Sequence, residues 1–173
     1  MITFYMENCN TFSQFLYDKV LSLLQIHRLI CPSCGKSGCL SIHGYYERSL
    51  RTQGGKIKLC ILRLKCRCGR THAVLPSSIV PYSQIALSDQ VLIVESGNDA
   101  ANIALLQLRI PDLSTALIRY IKLKFKRFFA QRLISYHLEL HPVSHLPEAC
   151  FRYFSCQFMQ IRRTSNILFH EST

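Results

Sequence analysis

The stretch Cys31-Pro32-Ser33-Cys34-Gly35, with its counterpart Cys66-Arg67-Cys68-Gly69-Arg70-Thr71-His72, predicts how the segment around it folds. Two thiolates at a two-residue spacing can converge on one metal ion, and the proline and glycine favour the tight turn that this requires. The second pair is one residue closer, but residues i and i+2 of an extended chain face the same side. We therefore expect one structural Zn²⁺ whose ligands are Cys31, Cys34, Cys66 and Cys68.

Other assignments of the cysteines stay open. His72 is the main substitute ligand, and Cys39 and Cys60 are weaker ones. Some of the thiols can instead be buried free cysteines, because cysteine packs as a small hydrophobic residue. A disulfide framework is disfavoured, since the nine cysteines are odd in number and no secretory signal is evident.

The composition predicts a folded protein with a polyanionic partner. The chain has 173 residues, of which 49% are hydrophobic, and 21 basic against 10 acidic residues give a net charge of +11. Such an excess favours nucleic acid or an anionic membrane surface. No apolar run approaches the ~20 residues of a membrane span, and the first residues lack a basic signal-peptide region. We expect a cytoplasmic protein that does not bind membranes.

The segment between the cysteine pairs is typical of a basic β-hairpin. Residues 39–52 have an extended pattern, Gln53-Gly54-Gly55-Lys56 is a candidate turn, and alternation resumes at Ile57. The alternation changes phase at Leu62, which suggests a β-bulge in the returning strand. The ribbon carries one acid, Glu47, beside eight basic residues, and these eight are the predicted DNA contacts: Arg48, Arg51, Lys56, Lys58, Arg63, Lys65, Arg67 and Arg70.

The region after Ser83 predicts three helices. The first covers 89–95, the second 99–108, and a longer third starts near Leu113 and continues into the 130s. A short helix, a turn and a longer basic helix resemble a helix-turn-helix, whose last helix enters the major groove. The predicted DNA-contacting residues of the third helix are Arg119, Lys122, Lys124, Lys126 and Arg127.

The predicted fold class is α+β, with a small zinc-ribbon hairpin followed by a helix-turn-helix-like bundle. Its four segments are an N-terminal helical segment (1–30), the ribbon (31–82), the helical region (83–135) and a C-terminal packing segment (136–173). The first segment is predicted to contain a helix capped by Asn10 or Thr11. Its apolar stripe consists of Phe12, Phe15, Leu16, Val20, Leu23 and Leu24. His137, His141 and His145 recur every four residues, but Pro142 interrupts the helix that would align them.

We predict no catalysis. The chain contains no P-loop, no G-x-S-x-G elbow and no H-E-x-x-H motif. A four-cysteine zinc site is also coordinatively closed, which leaves no position for a reactive water.

The sequence resembles a bacterial family of uncharacterised proteins with a transposase-like zinc ribbon. The resemblance rests on CPSCG (31–35), HGYYERS (43–49), ILRLKCRCGRTHAVLP (61–76), IVPYSQ (79–84) and QFMQIRR (157–163). It is similar to the N-terminal DNA-binding part of insertion-sequence transposases, which implies DNA binding linked to a mobile element and a missing catalytic domain.

The resulting hypothesis is a zinc-dependent, double-stranded-DNA-binding protein, transposon-associated or regulatory. RNA is a weaker candidate partner, and a homodimer or a transposon-encoded protein partner stays open. The alternative hypothesis, from another class, is a zinc-stabilised protein–protein adaptor. The two differ in the expected salt dependence of binding, since phosphate contacts make DNA binding strongly salt-dependent.

Overall fold

The computed structural model describes residues 1–5, 13–52, 55–161 and 167–169, with Thr52 and 167–169 described by backbone alone. Within these residues the protein is mixed α+β, with one five-stranded sheet and six α-helices. The strands are β1 (Ile2–Phe4), β2 (Leu40–Thr52), β3 (Gly55–Cys66), β4 (Thr71–Pro76) and β5 (Ile167–Phe169). The helices are α1 (Gln14–Leu23), α2 (Leu87–Glu95), α3 (Ala100–Arg109), α4 (Thr115–Phe128), α5 (Ala130–Ser135) and α6 (Leu146–Phe154). None of these described helices combines the length and the apolar character that crossing a bilayer requires.

The sheet has the strand order β2-β3-β4-β1-β5. The hairpin of β2 and β3 and the pair of β3 and β4 are antiparallel, as short connections require. The first strand, β1, lies parallel to both β4 and β5, with Thr3 opposite Leu75. The N-terminal strand therefore lies between β4 and β5 and extends the two-stranded ribbon that the sequence predicts into a larger sheet.

The predicted β-bulge lies in β2 and not in β3. The register shifts between Ile42 and Gly44, so His43 is the extra residue of the outgoing strand. The β3 strand keeps its alternation, and the adjacent residues Ile61 and Leu62 are both buried because they point to opposite faces. The prediction of a bulge in the returning strand is wrong, since the phase change in β3 records burial on both faces of the sheet.

Helix α1 covers the sheet with part of the predicted stripe and with Tyr17. It starts at Gln14, and the Ser13 hydroxyl accepts a hydrogen bond from the Leu16 N–H. Tyr17 and the stripe member Val20 are buried and Leu24 is partly buried, whereas the stripe members Phe15 and Leu23 are 79% and 59% exposed. The buried Tyr17 hydroxyl holds the helix to two strands, because it forms hydrogen bonds with the backbone of both β3 and β4. Apolar periodicity alone does not reveal such a contact. Asn10, Thr11 and Phe12 lie outside the described residues.

The three helices after the linker occur close to the predicted positions, but with different ends. Asp99 caps α3 and Ser114 caps α4 through their side chains. The third predicted helix ends at Phe128, and α5 begins at Ala130, because the buried Phe129 ring turns the chain into the core. In α3, Leu106 is buried and Ile103 is partly buried, whereas Ala100 and Ala104 are exposed.

The buried apolar residues form two clusters, one from Ile2 to Ile79 and one from Val80 to Met159. The Arg48 guanidinium joins the two parts by donating hydrogen bonds to the carbonyls of Val80 (2.6 Å) and Ser83 (2.7 Å). On the other side, the buried Gln157 amide donates to the carbonyls of Ser77 (2.7 Å) and Ile79 (2.9 Å). These polar contacts fix the linker between the clusters.

Candidate metal centre and basic surfaces

In the first cysteine turn, a backbone N–H is directed at a cysteine sulfur. The Ser33 N–H lies 3.4 Å from the Cys31 Sγ. The Gly35 N–H donates to the Cys31 carbonyl (2.9 Å), and the Cys31 N–H donates to the Lys36 carbonyl (2.9 Å). Gly35 has φ +70, a left-handed conformation that glycine adopts without penalty. The CPSCG sequence thus folds into the compact turn that its proline and glycine predict.

The second turn repeats this arrangement with one residue fewer. The Cys68 N–H lies 3.4 Å from the Cys66 Sγ, and the Gly69 N–H donates to the Cys66 carbonyl (2.9 Å). The Cys66 N–H donates to the Arg70 carbonyl (2.8 Å), and Gly69 has φ +85. A Cys-x-Cys pair therefore supports the same kind of turn as a Cys-x-x-Cys pair.

Two pairs of thiols, each with one member from either turn, lie at distances that suit ligands of a tetrahedral thiolate site. With metal–sulfur bonds of about 2.3 Å, as for zinc, two ligand sulfurs lie about 3.8 Å apart. The Sγ atoms of Cys31 and Cys68 are 3.9 Å apart, and those of Cys34 and Cys66 are 3.7 Å apart. The described residues therefore contain a donor set that could hold one metal ion.

Cys39, a weaker candidate from the sequence, and not the predicted ligand Cys68, completes the group of four mutually close thiols. The thiol atoms of Cys31, Cys34, Cys39 and Cys66 all lie within 4.8 Å of one another, so these four could hold a metal ion. The Cys66 thiol donates to the Cys39 Sγ at 3.3 Å, and the Cys39 thiol donates to the Lys36 carbonyl at 3.0 Å. The sequence signal for Cys39 was its position at the entry of a strand paired with the one that ends at Cys66, since Leu40 lies opposite Cys66.

The remaining candidates differ in their distance from the cluster. The buried His72 Nε2 is 3.3 Å from the Cys31 Sγ. Burial lowers the pKa of His72 to about 4, which keeps its imidazole neutral and able to bind a metal. Cys60 is exposed, and its backbone pairs with the Gln14 side chain, so it belongs to another part of the sheet.

The thiols of the cluster cannot all ionise without a cation. Burial raises the pKa of Cys31, but N–H groups of Cys34 and Ser33 outweigh it and lower this pKa to about 7. The Cys68 N–H lowers the pKa of Cys66, yet burial and the Cys39 thiol raise it to about 11. A metal ion would replace these protons and bring the remaining thiols into the thiolate form.

The predicted DNA-contacting residues of the ribbon lie on both faces of the sheet. Arg63 and Lys65 share one face of β3, and Lys56 and Lys58 lie on the other, because side chains alternate along a strand. Lys58 forms an exposed ion pair with Glu47 (3.1 Å). The exposed Arg67 and Arg70 belong to the second cysteine turn, where the Arg67 guanidinium donates to the Gly38 carbonyl (3.0 Å).

Two ribbon arginines hold the linker and the helical region. In addition to the Arg48 contacts, the Arg51 guanidinium donates to the Asp112 carbonyl. The Arg51 N–H also donates to the Gln84 carbonyl (2.7 Å), so this residue ties β2 to the linker. Their charge is thus directed at backbone carbonyls of the same chain.

The predicted contacts on α4 divide into exposed and engaged residues. Arg119, Lys126 and Arg127 are exposed, with the Arg127 guanidinium 5.4 Å from the centre of the Phe128 ring. Lys122 donates to the carbonyls of Ser96 (2.6 Å) and Gly97 (2.7 Å), where it caps the end of α2. Burial lowers the pKa of Lys122 and of Lys124.

The histidines of the C-terminal region do not converge on a metal site in the part of the chain that the structure describes. His141 Nε2 is 2.9 Å from the Glu95 carboxylate, which links the segment before α6 to the end of α2. His137 has φ +52 and ends a helical turn, so the four-residue spacing is not carried by one helix.

Residues 31–104 match the family model described as Domain of unknown function (DUF6431). No curated protein and no solved structure matched the chain. The matched segment includes both cysteine turns, the ribbon, the linker and α2, but fewer than half of the residues. The resemblance to a transposase zinc ribbon therefore stays a prediction. What the comparison establishes is that residues 31–104, which carry a cysteine cluster that could hold a metal ion, are similar to DUF6431.

Proposed function

We propose that this protein is a zinc-stabilised module that binds double-stranded DNA without catalysing a reaction. The observation that carries the proposal is the position of exposed basic side chains directly on the cysteine cluster. Arg67 and Arg70 flank Cys68, and Lys65 precedes Cys66. A metal that orders the second turn would also order these charges on one rim.

Zinc is the metal that the donor set favours. Thiolates are soft ligands, and a tetrahedral sulfur site is typical of zinc or iron–sulfur chemistry. The sulfur–sulfur distances from Cys31 to Cys68 and from Cys34 to Cys66 are both close to the distance expected between two thiolate ligands of one zinc ion. We propose these four cysteines as the ligands. The thiol of Cys39, which donates to a backbone carbonyl, would then support Cys66 from outside the ligand set.

Helices α2, α3 and α4 would form the helix-turn-helix-like reader. The connection from α3 to α4 has its left-handed residue at Asp112 (φ +56), a residue type that tolerates this conformation better than most. The exposed Arg119, Lys126 and Arg127 would contact phosphates, and Lys122 would act indirectly by capping α2. A transposon-associated or regulatory role follows from the resemblance of the sequence alone.

The decisive experiment is duplex DNA binding by the zinc-loaded protein, followed by fluorescence anisotropy across salt with RNA as competitor. Each neutralised phosphate adds about −0.9 to the log–log slope, and we expect a slope steeper than about −4. The variant Arg119→Gln/Lys126→Gln should make the slope shallower by about 2. The matched control Lys19→Gln/Arg28→Gln removes the same charge from exposed positions of the N-terminal region and should leave the slope unchanged.

The second candidate function is a protein–protein adaptor. It is favoured by apolar side chains that α3 and α4 leave exposed, namely Leu105 (63%), Leu108 (83%), Tyr120 (58%) and Leu123 (63%). Absence of duplex binding at low salt by the zinc-loaded protein would reject the DNA proposal and favour this one. A slope near zero would do the same, since apolar docking is insensitive to salt.

A further inference from the structure

One face of the sheet forms the floor of a groove of about 1110 Å³. Tyr46 lies opposite Ile61, and Arg63 lies opposite Ala73, so Tyr46, Arg63 and Ala73 share one face. All three line the groove, and Ser33 and Arg70 of the two cysteine turns form one rim. A volume of this order suits a ligand of nucleotide size.

The opposite wall is the linker, and its conformation is enforced. Tyr82 has φ +60, a region that a bulky side chain rarely occupies, and its side chain is 83% exposed. Arg48 donates to the carbonyls of Val80 and Ser83, which lie on either side of this tyrosine. The surrounding contacts therefore hold an aromatic ring at the groove instead of letting it pack into the core, a pattern typical of ligand-binding positions.

The charges in the groove suit an anion. Within the described part of the chain, no ion pair or hydrogen bond engages the guanidinium groups of Arg63 and Arg70. Arg63 lies over the Tyr46 ring at 5.8 Å from its centre, which orients the guanidinium along the floor. The acid that lines the groove, Glu47, is paired with Lys58 at 3.1 Å.

We propose that this groove binds an unpaired nucleotide within a DNA strand. The base would stack on Tyr82, and Arg63 and Arg70 would contact the flanking phosphates. A base inside an intact duplex cannot offer its face to Tyr82 unless it is extruded. This inference rests on the proposed function in one respect, namely that the ribbon faces nucleic acid, and adds a second mode of binding to it.

The test uses the full-length zinc-loaded protein and a labelled oligothymidylate that carries one 4-thiothymidine. Fluorescence anisotropy gives the affinity, and irradiation followed by mass spectrometry locates the cross-link. We expect Tyr82→Ala to weaken single-strand binding about tenfold, because one stacked base is lost. Tyr82→Phe should retain most of the affinity. The matched control is Tyr45→Ala, which removes a half-exposed tyrosine of β2 from the face of the sheet opposite to the groove and should change nothing.

Charge is tested separately. Arg63→Gln should weaken single-strand binding more than Lys19→Gln does, although both remove one positive charge. Cross-linking of the wild-type protein at Tyr82 supports the groove directly and does not depend on any variant folding.

The outcomes separate this inference from the proposed function. If duplex DNA binds but Tyr82→Ala has no effect on single-strand affinity, the groove assignment is overturned and the duplex proposal stands. If single-strand binding depends on Tyr82 while duplex binding is absent, the groove assignment stands and the duplex proposal is overturned. Tighter binding of the matching RNA strand, or equal binding of free thymidine monophosphate, would overturn the assignment to a DNA strand.

Discussion

The sheet part and the helical part of this protein reach stability by different means. The sheet part buries its apolar residues around a cluster of close thiols, including Cys31, Cys39 and Cys66. The helical part is closed by aromatic packing, in which Phe129 contacts Phe158 (5.5 Å between ring centres) and Phe154 (6.4 Å). Both parts bury ionisable groups, but among the described residues only the sheet part gathers four thiols close enough to hold a metal ion.

Metal removal should destabilise the sheet part far more than the helical part. Structural zinc contributes on the order of 10 kcal/mol to small domains. Chelation should therefore unfold the turns at Cys31 and Cys66 and disorder β2 to β4, while α2 to α6 retain helicity. Hydrogen exchange measured by mass spectrometry follows both parts in one experiment. Equal loss of protection in the two parts would show that they share one cooperative unit.

Two cysteine variants distinguish a metal ligand from a supporting thiol in the cluster. Cys68→Ser should lower zinc affinity more than about a hundredfold, because it removes a proposed ligand, and Cys39→Ser about tenfold, because it removes a supporting thiol. Competition with a chromogenic chelator measures both. Cys60→Ser, an exposed thiol elsewhere in the sheet, is the matched control and should have no effect. A reversed order of the first two variants would make Cys39 the fourth ligand.

The helical part is broken by removing its central ring. Phe129 is fully buried, and Phe129→Ala should lower the free energy of unfolding of this part by about 3–5 kcal/mol. Denaturant titration followed by circular dichroism measures the loss, and Phe129→Leu should cost less. Zinc affinity should stay unchanged, since the cysteine cluster belongs to the other core. Loss of zinc binding in Phe129→Ala would contradict the independence of the two cores.

A smaller effect is expected at the contact that holds α1 to the sheet. The Tyr17 hydroxyl donates to the Val74 carbonyl and accepts from the Leu62 N–H, both at 2.9 Å. Tyr17→Phe leaves two buried backbone groups unpaired and should cost about 1–3 kcal/mol in the sheet part. Thermal unfolding of the zinc-loaded protein measures it. The same change at the half-exposed Tyr45 should be neutral, and equal effects of the two variants would refute the role of the Tyr17 hydroxyl.

The smallest effect concerns a buried carboxyl in α2. Burial raises the pKa of Asp89, an effect that the Arg109 guanidinium at 3.9 Å opposes. Because the folded state binds the proton more tightly, Asp89 makes the protein less stable as pH rises through its raised pKa. Asp89→Asn should remove this dependence and gain on the order of 1 kcal/mol over wild type at neutral pH. The gain should vanish near pH 4; a gain that persists there would point to packing as its cause.

The sequence anticipated the cysteine turns well because their geometry is local. Spacing, proline and glycine determine how Cys31 and Cys34 approach each other, and the same holds for Cys66 and Cys68. It could not predict that Cys39 lies beside Cys66, because this approach depends on the register of β2 against β3, which no local pattern specifies. The bulge at His43 was misplaced for the same reason.

The basic residues show a second limit of sequence-based prediction. The prediction from charge clustering assigned the same role to Arg48, Arg51 and Lys65. In the structure, however, Arg48 donates to a carbonyl of the linker, and Arg51 donates to a carbonyl of the α3–α4 connection. Likewise Lys122 caps α2 while Arg119 is exposed. Long cationic side chains find distant carbonyls that only the folded chain presents.

Spacing and periodicity within a few residues were enough to predict the local turns, the class of donor atoms, the mixed α+β character and the position of the β-hairpin before the helices that follow Ser83. The folded chain was needed to find that β1 pairs with β4, that Cys39 joins the thiol cluster, and that Tyr82 lies at a groove between the linker and the ribbon. These features depend on pairings between segments far apart in the chain, where many alternatives satisfy the same local pattern and packing selects one.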